Sequence, residues 1–217
     1  IKATIMNLKS KLFVALLFVA GIQQGIAQTT FKDFFNPDSK LTYLGVDYTL
    51  AKVFGQTDIE IENLISRDFS GINNLVMSEP ERYNLAKFFH KTDVEKDLSL
   101  VEAHNKKIKA ADLKSNGNDK ELTNADIEKL VKGYSFGGKK GMGVILVAEH
   151  LYKIEKAAKG TMYVVFVDME KNKVLFSEKF TSKPSGFTLR NYWAKIVYNT
   201  LDEIGDSKYK SWKKSHG

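Results

Sequence analysis

Apolar positions change period several times along this chain, and each change predicts an element. After the turn signal Asn36-Pro37-Asp38-Ser39, the segment KLTYLGVDYTL (Lys40 to Leu50) is rich in β-branched and aromatic residues and predicts a first strand. Thr57-Asp58-Ile59-Glu60 has the spacing of a capping box, and Ile61, Leu64, Ile65, Phe69 and Ile72 recur behind it at helical intervals. A second helix start is read at Ser78-Glu79-Pro80-Glu81, where Pro80 in the first turn costs no hydrogen bond, with Leu85, Ala86, Phe88 and Phe89 as its apolar face. LSLVEAHNKKI (Leu98 to Ile108) fits both periods and is assigned to a strand. DLKSNGNDKEL is a polar loop, and Thr123 to Asp126 caps a short helix that ends at Gly133.

Beyond the glycines that follow, GVILVAEHLYK (Gly143 to Lys153) is an almost unbroken apolar run, the pattern of a strand covered on both faces. TMYVVFVDM (Thr161 to Met169) and KVLFSEKFT (Lys173 to Thr181) flank Glu170-Lys171-Asn172, a hairpin turn in which Asn172 accepts the left-handed conformation. Leu189, Trp193, Ile196, Val197, Leu201 and Ile204 then form one stripe of an amphipathic C-terminal helix. The order is strand, two helices, strand, helix, three strands, helix. It predicts a single α+β or α/β domain over 28–204, a mixed sheet of about four to five strands with helices packed over it.

The ends of the chain read differently from its body. After five residues upstream of Met6, Lys9 and Lys11 precede an apolar run from Leu12 to Ile22 and the small-residue site Gly25-Ile26-Ala27. This is the plan of a secretory signal peptide, cut between Ala27 and Gln28; the run is shorter than the roughly 20 residues a membrane span needs. Residues 1–27 are therefore assigned to upstream residues plus leader, and the mature chain, with no transmembrane span, to the periplasm or the exterior. The sequence contains no cysteine, which removes disulfides, thiolate metal sites, a cysteine nucleophile and the lipid-bearing cysteine of an exported lipoprotein.

The net charge of +7 points to nucleic acid until its distribution is considered. The leader carries +3 and residues 205–217, GDSKYKSWKKSHG, carry another +3, leaving +1 for the body. A nearly neutral body has no footprint for a polyphosphate, so no nucleic-acid partner is expected. The segment 205–217 is read as a basic flexible tail, with weak contact to an anionic surface as its one candidate role.

Gly133-Tyr-Ser-Phe-Gly-Gly-Lys139-Lys140 comes within one residue of a phosphate-binding loop, but Lys140 stands where a hydroxyl should reach Mg²⁺. The flanking order is also reversed, helix before and strand after, so the glycines are read as turning the chain into a strand. The four histidines show no metal-ligand spacing, and no nucleophile elbow is present. Neither cofactor nor metal is predicted. Glu149 stands out as a carboxylate in an apolar strand, where it needs a partner such as a nearby Lys or Arg. A catalytic carboxylate needs a second acid or a nucleophile nearby, and His150 is excluded from that part because consecutive strand residues face opposite sides. Arg190 and Asn191, in the first turn of the last helix, complete the candidate binding residues with Lys139, Lys140 and Glu149.

The leader ending in Ala27-Gln28, LTYLGVDYT, GYSFGGKKGMGVILVAEHL and GFTLRNYWAKIVYNTL together resemble uncharacterised small secreted proteins of Bacteroidetes. In element order the chain is also similar to the α/β domains of the TolB amino-terminal region and of curli-secretion and penicillin-binding-protein-activator lipoproteins, although the anchoring cysteine is missing. That resemblance implies a binding module of the envelope rather than an enzyme. The expectation is an exported, non-catalytic protein-interaction or binding module with an envelope partner. The alternative is a small-molecule or anion binder, or an enzyme, using Glu149 with Lys139, Lys140 and Arg190.

Overall fold

The computed structural model describes residues 29–155 and 157–217. The assigned leader lies outside the described residues. Strands β1 (Leu41–Asp47), β2 (Lys52–Phe54), β3 (Glu95–Lys96), β4 (Met142–Ile154), β5 (Ala157–Asp168) and β6 (Lys173–Ser182) form one mixed sheet in the order β3-β1-β4-β5-β6. β1 runs parallel to β3 and β4, and β2 continues along the same side of β4, opposite His150 to Tyr152. β4, β5 and β6 are an antiparallel meander. The two very short strands carry the count past the expected four to five.

Helices cover both faces. On one face, α1 (Asp58–Asn63) and α2 (Phe69–Ser78), joined by a π-helical turn at Leu64–Asp68, pack with α3 (Leu85–Phe88) and the long C-terminal helix α7 (Leu189–Glu203). The opposite face is covered by α4 (Ser99–Asn105) and α6 (Asn124–Lys132), with a further short helix, α5 (Ala110–Leu113), between them in sequence. The burial of alternate β4 residues in the two cores explains its unbroken apolar run: Val144, Leu146 and Ala148 enter one, Ile145 and Val147 the other. Both capping boxes form as read, Thr57 with Glu60 and Thr123 with Asp126. Asn172 holds φ +49 in the hairpin turn.

Three expectations are corrected. Leu98 to Ile108 holds the helix α4 (Ser99–Asn105) rather than a strand: the Asp97 carboxylate accepts from the Ser99 N–H at 3.0 Å, opening the turn, and Val101 and Asn105 are buried one turn apart. The second helix does not begin at Ser78, which instead ends α2. Glu79 leaves helical geometry at φ −114° and ψ 61°, and α3 starts only at Leu85, capped by the Asn84 side chain. Finally, residues 205–217 are no frayed tail. They continue from α7 through a π-helical turn (Ile204–Lys208) into α8 (Tyr209–His216), with Tyr209 and Trp212 buried and Lys210, Lys213 and Lys214 exposed.

The outer side of β1 has little strand beside it, because β3 pairs only with Thr42 and Tyr43. Further along, two buried amides take the place of a neighbouring strand. Asn73 accepts from Val46 N at 2.8 Å and donates to Val46 O at 3.2 Å; Asn105 donates to Val46 O at 2.9 Å and accepts from Tyr48 N at 2.9 Å. Gly45 makes this approach possible. At φ +102° it sits in a bulge of β1, and a Cβ there would lie 2.6 Å from Val101 Cγ2.

Candidate functional site

β4 pairs regularly with β5 from Met142↔Asp168 to Ala148↔Met162, and the next pair is His150↔Thr161. Glu149 is the extra residue of a β-bulge, so Glu149 and His150 both oppose Thr161. This overturns the exclusion of His150: its Nδ1 lies 3.6 Å from Glu149 Oε2. Glu149 is 1% exposed. Its Oε1 accepts the Leu122 N–H at 2.7 Å, and its Oε2 is 2.7 Å from Lys179 Nζ on β6. Lys179 is also 3.2 Å from Glu121 Oε2.

The electrostatics follow from these contacts. Burial works to raise the Glu149 carboxyl, but His150, Lys179 and the Leu122 N–H outweigh it and hold the pKa down at about 2. Burial likewise works to lower the Lys179 ammonium, and Glu149 and Glu121 outweigh it and keep it above its ordinary value. The carboxylate is thus ionised and engaged through both oxygens, which suits a structural anchor better than a general base.

Above this pair the sheet register builds the floor of an open cleft of about 240 Å³. One row across the strands is Lys52, His150 and Thr161; the next is Phe54, Tyr152 and Lys159. Phe54 and Tyr152 stack at 5.3 Å between centroids and 11° between planes. The loop after α5 supplies the wall through Ser115, Gly117, Asp119 and Glu121. Ser115 Oγ donates to Asp119 and accepts the Gly117 N–H at 2.9 Å, which folds that wall upon itself.

The remaining candidates lie elsewhere. Lys139 pairs with Asp97 at 2.5 Å and Lys140 with Glu170 at 3.1 Å, beside a separate cleft at the start of β4. Along a strand, the seven steps from Met142 to Glu149 span roughly 23 Å. Arg190 and Asn191 line a third depression with Arg67 and Thr188, where α7 lies on the other face of the sheet. The structure does not bring Lys139, Lys140, Glu149 and Arg190 into one pocket. In the glycine loop, Gly137, Gly138 and Gly141 adopt φ of +60°, +78° and +85°, and the chain passes directly into β4. Helix before and strand after is the order read from the sequence, the reverse of a phosphate loop.

A second buried polar group escaped the sequence reading. Asp47, fully buried at the end of β1, accepts from Tyr134 Oη, from Thr49 N at 2.8 Å and from Thr49 Oγ1 at 2.5 Å, and lies 3.4 Å from His104 Nδ1. His104 and Tyr134 stack at 4.0 Å. Burial works to raise the Asp47 carboxyl, and the bonds from His104, Thr49 and Tyr134 outweigh it, so its pKa falls below the ordinary value. Residues 47, 104 and 134 lie far apart in sequence, and no spacing rule joins them. The cleft residues were equally hidden, because Lys52, Tyr152, Lys159 and Lys179 meet only through strand register.

Asp47 and Glu149 set an acid limit. Each has a folded pKa below its unfolded value near 4, so its stabilisation is complete above that value and drains as pH falls toward the folded pKa, about 2 for Glu149. Urea midpoints are expected to rise from pH 2 to about pH 5 and then level off, and Glu149→Gln should flatten part of that rise. Parallel profiles for wild type and variant would show that Glu149 does not contribute.

No protein-family model and no curated protein matches this chain. Among solved structures, it is similar to a hypothetical protein of Chlamydia trachomatis at 11% identity, TM-score 0.33, covering 82% of this chain and 100% of that one. A Xanthomonas campestris protein of family DUF330 has 8% identity and TM-score 0.35, with 82% and 88% covered. A neuraminyllactose-binding hemagglutinin homologue from Helicobacter pylori has 9% identity and TM-score 0.36, with 83% and 92% covered. Likenesses of that size extend to none of those proteins' properties, and the cleft beside the β4 bulge stands on its own chemistry.

Proposed function

We propose that this protein is an exported, non-catalytic binding module of the bacterial cell envelope, and that the cleft beside the β4 bulge is its binding site. One observation carries the reading of the cleft: Lys52, Phe54, His150, Tyr152, Thr161 and Lys159 share one surface of three adjacent strands, so its polar groups are held by rigid elements. The engagement of Glu149 by Lys179 and Leu122 supports binding without catalysis. Export rests on the leader pattern Lys9, Lys11 and Leu12 to Ile22.

Expression of the full chain in a Gram-negative host, followed by fractionation and N-terminal sequencing, is expected to find it outside the cytoplasm and beginning at Gln28. Unprocessed chain confined to the cytoplasm would refute export. The secreted protein is expected to sediment saturably with isolated envelopes, and Tyr152→Ala should reduce that binding. Sedimentation unchanged in the variant would refute the cleft as the site.

A further inference from the structure

The cleft has a composition that narrows its ligand. Its lysines, Lys52, Lys159 and Lys179, are balanced by Asp119, Glu121 and the underlying Glu149. Two of the three lysines are already committed: Lys179 to Glu149 and Glu121, and Lys52 to the Asp112 carbonyl. An anionic ligand would have to draw Lys179 from its carboxylates and Lys52 from the Asp112 carbonyl while lying beside Asp119 and Glu121. A cationic ligand would meet the lysines. Charge therefore favours neither.

Donors and acceptors are nonetheless abundant. Lysine ammonium groups and the His150 ring face the carboxylates of Asp119 and Glu121. A hydroxyl group both donates and accepts, so a ligand carrying several hydroxyls can use both sets at once, and an apolar or purely anionic ligand cannot.

The third feature is the aromatic platform. Phe54 is pinned between the Tyr152 ring and Gly117, where an added Cβ would lie 3.0 Å from the Phe54 ring, so the stacked pair is formed before any ligand arrives. Tyr152 is 39% exposed, a large share for an aromatic on a strand. A partly exposed aromatic ring beside hydroxyl-binding groups suits a molecule with one apolar C–H face and a polar rim. The volume of about 240 Å³ is below the roughly 300–1,000 Å³ of pockets that enclose larger ligands, and is on the scale of one ring.

Resting on the reading of this cleft as a binding site, we infer that its ligand is a neutral, pyranose-sized sugar, free or at the end of a glycan, lying on Tyr152 with its hydroxyls between the lysines and the carboxylates. Amide-resolved NMR titration of the secreted protein with glucose, galactose, N-acetylglucosamine and chitotriose, and separately with glucuronic acid and inorganic phosphate, tests this. Saturable shifts confined to His150, Tyr152, Lys159 and Thr161 with a neutral sugar are expected. A response to the monosaccharides alone would identify a free sugar, and one shared with chitotriose a glycan end; both support the inference. Tyr152→Ala should weaken binding about tenfold, the scale of one aromatic contact, while Tyr152→Phe retains it and unfolding midpoints show both variants folded. If only glucuronic acid or phosphate moves these residues, the neutral sugar is refuted in favour of an anionic ligand, and the cleft remains a binding site. If none of these probes moves them, the sugar is refuted, and the envelope-sedimentation result for Tyr152→Ala decides the cleft separately.

Discussion

Replacing Trp212 by alanine is expected to lower the unfolding free energy by about 3–5 kcal/mol, the range for deleting a buried indole. Trp212 is 3% exposed, and its ring meets those of Phe31, Phe166, Phe176 and Phe180 at centroid distances of 6.0, 5.9, 5.1 and 6.2 Å. Phe31 belongs to a 3-10 turn, Phe31–Phe35, at the start of the described residues, so α8 joins the two ends of the domain through this cluster. The indole Nε1–H also donates to Glu178, which Lys208 shares. The substitution removes the aromatic contacts and leaves a cavity between the sheet and the 3-10 turn. Urea denaturation of wild type and Trp212→Ala at pH 7 measures the difference. A loss below about 1 kcal/mol, as for a surface substitution, would mean that α8 does not hold this position in solution.

The second large effect is expected at the paired amides beside β1. Asn73→Ala takes the partner from Val46 N and one of two donors from Val46 O; Asn105→Ala takes the partner from Tyr48 N and the other donor. Each orphaned buried backbone group costs about 1–3 kcal/mol, so each substitution should destabilise by roughly 2–3 kcal/mol. The two share an acceptor. In either single variant Val46 O retains one donor, and only the double variant leaves it bare. The double-mutant cycle should therefore be non-additive, with an excess loss of about 0.5–1.5 kcal/mol. Strict additivity from the four urea curves would show that the amides act separately and that the shared carbonyl is satisfied by other means.

How far such features were legible in the sequence depended on the length over which they are decided. The capping boxes at Thr57 and Thr123, the left-handed Asn172 and the apolar runs of β4 to β6 each rest on contacts a few residues apart or on a repeated period. All of these were readable, and with them the single mixed α+β domain and its last amphipathic helix. Leu98 to Ile108 was misread because its apolar residues satisfy both periods, and the choice fell to the Asp97 carboxylate at its start and to Val101 beneath Gly45. Residues 205–217 looked solvated because lysines surround Tyr209 and Trp212, and the rings that pack on them come from distant segments: Phe34, Phe35 and His90 on Tyr209, and Phe31 with β5 and β6 on Trp212.

The candidate site divides in the same way. Local pattern singled out Glu149 as a carboxylate requiring a partner such as a Lys or Arg, and Lys179 supplies that cation. Which cation answers it, that a bulge turns His150 to the same side, and that Lys52, Tyr152 and Lys159 share one surface are all consequences of pairing between strands distant in the chain. Lys139, Lys140 and Arg190 were grouped with Glu149 by their chemistry, and strand length with opposite sheet faces separates them. Propensity, capping and burial period act over one or two turns and are written into adjacent residues. Register and shared faces arise only when segments far apart along the chain meet, so the secondary elements and the fold class belong to the first kind of information and the cleft to the second.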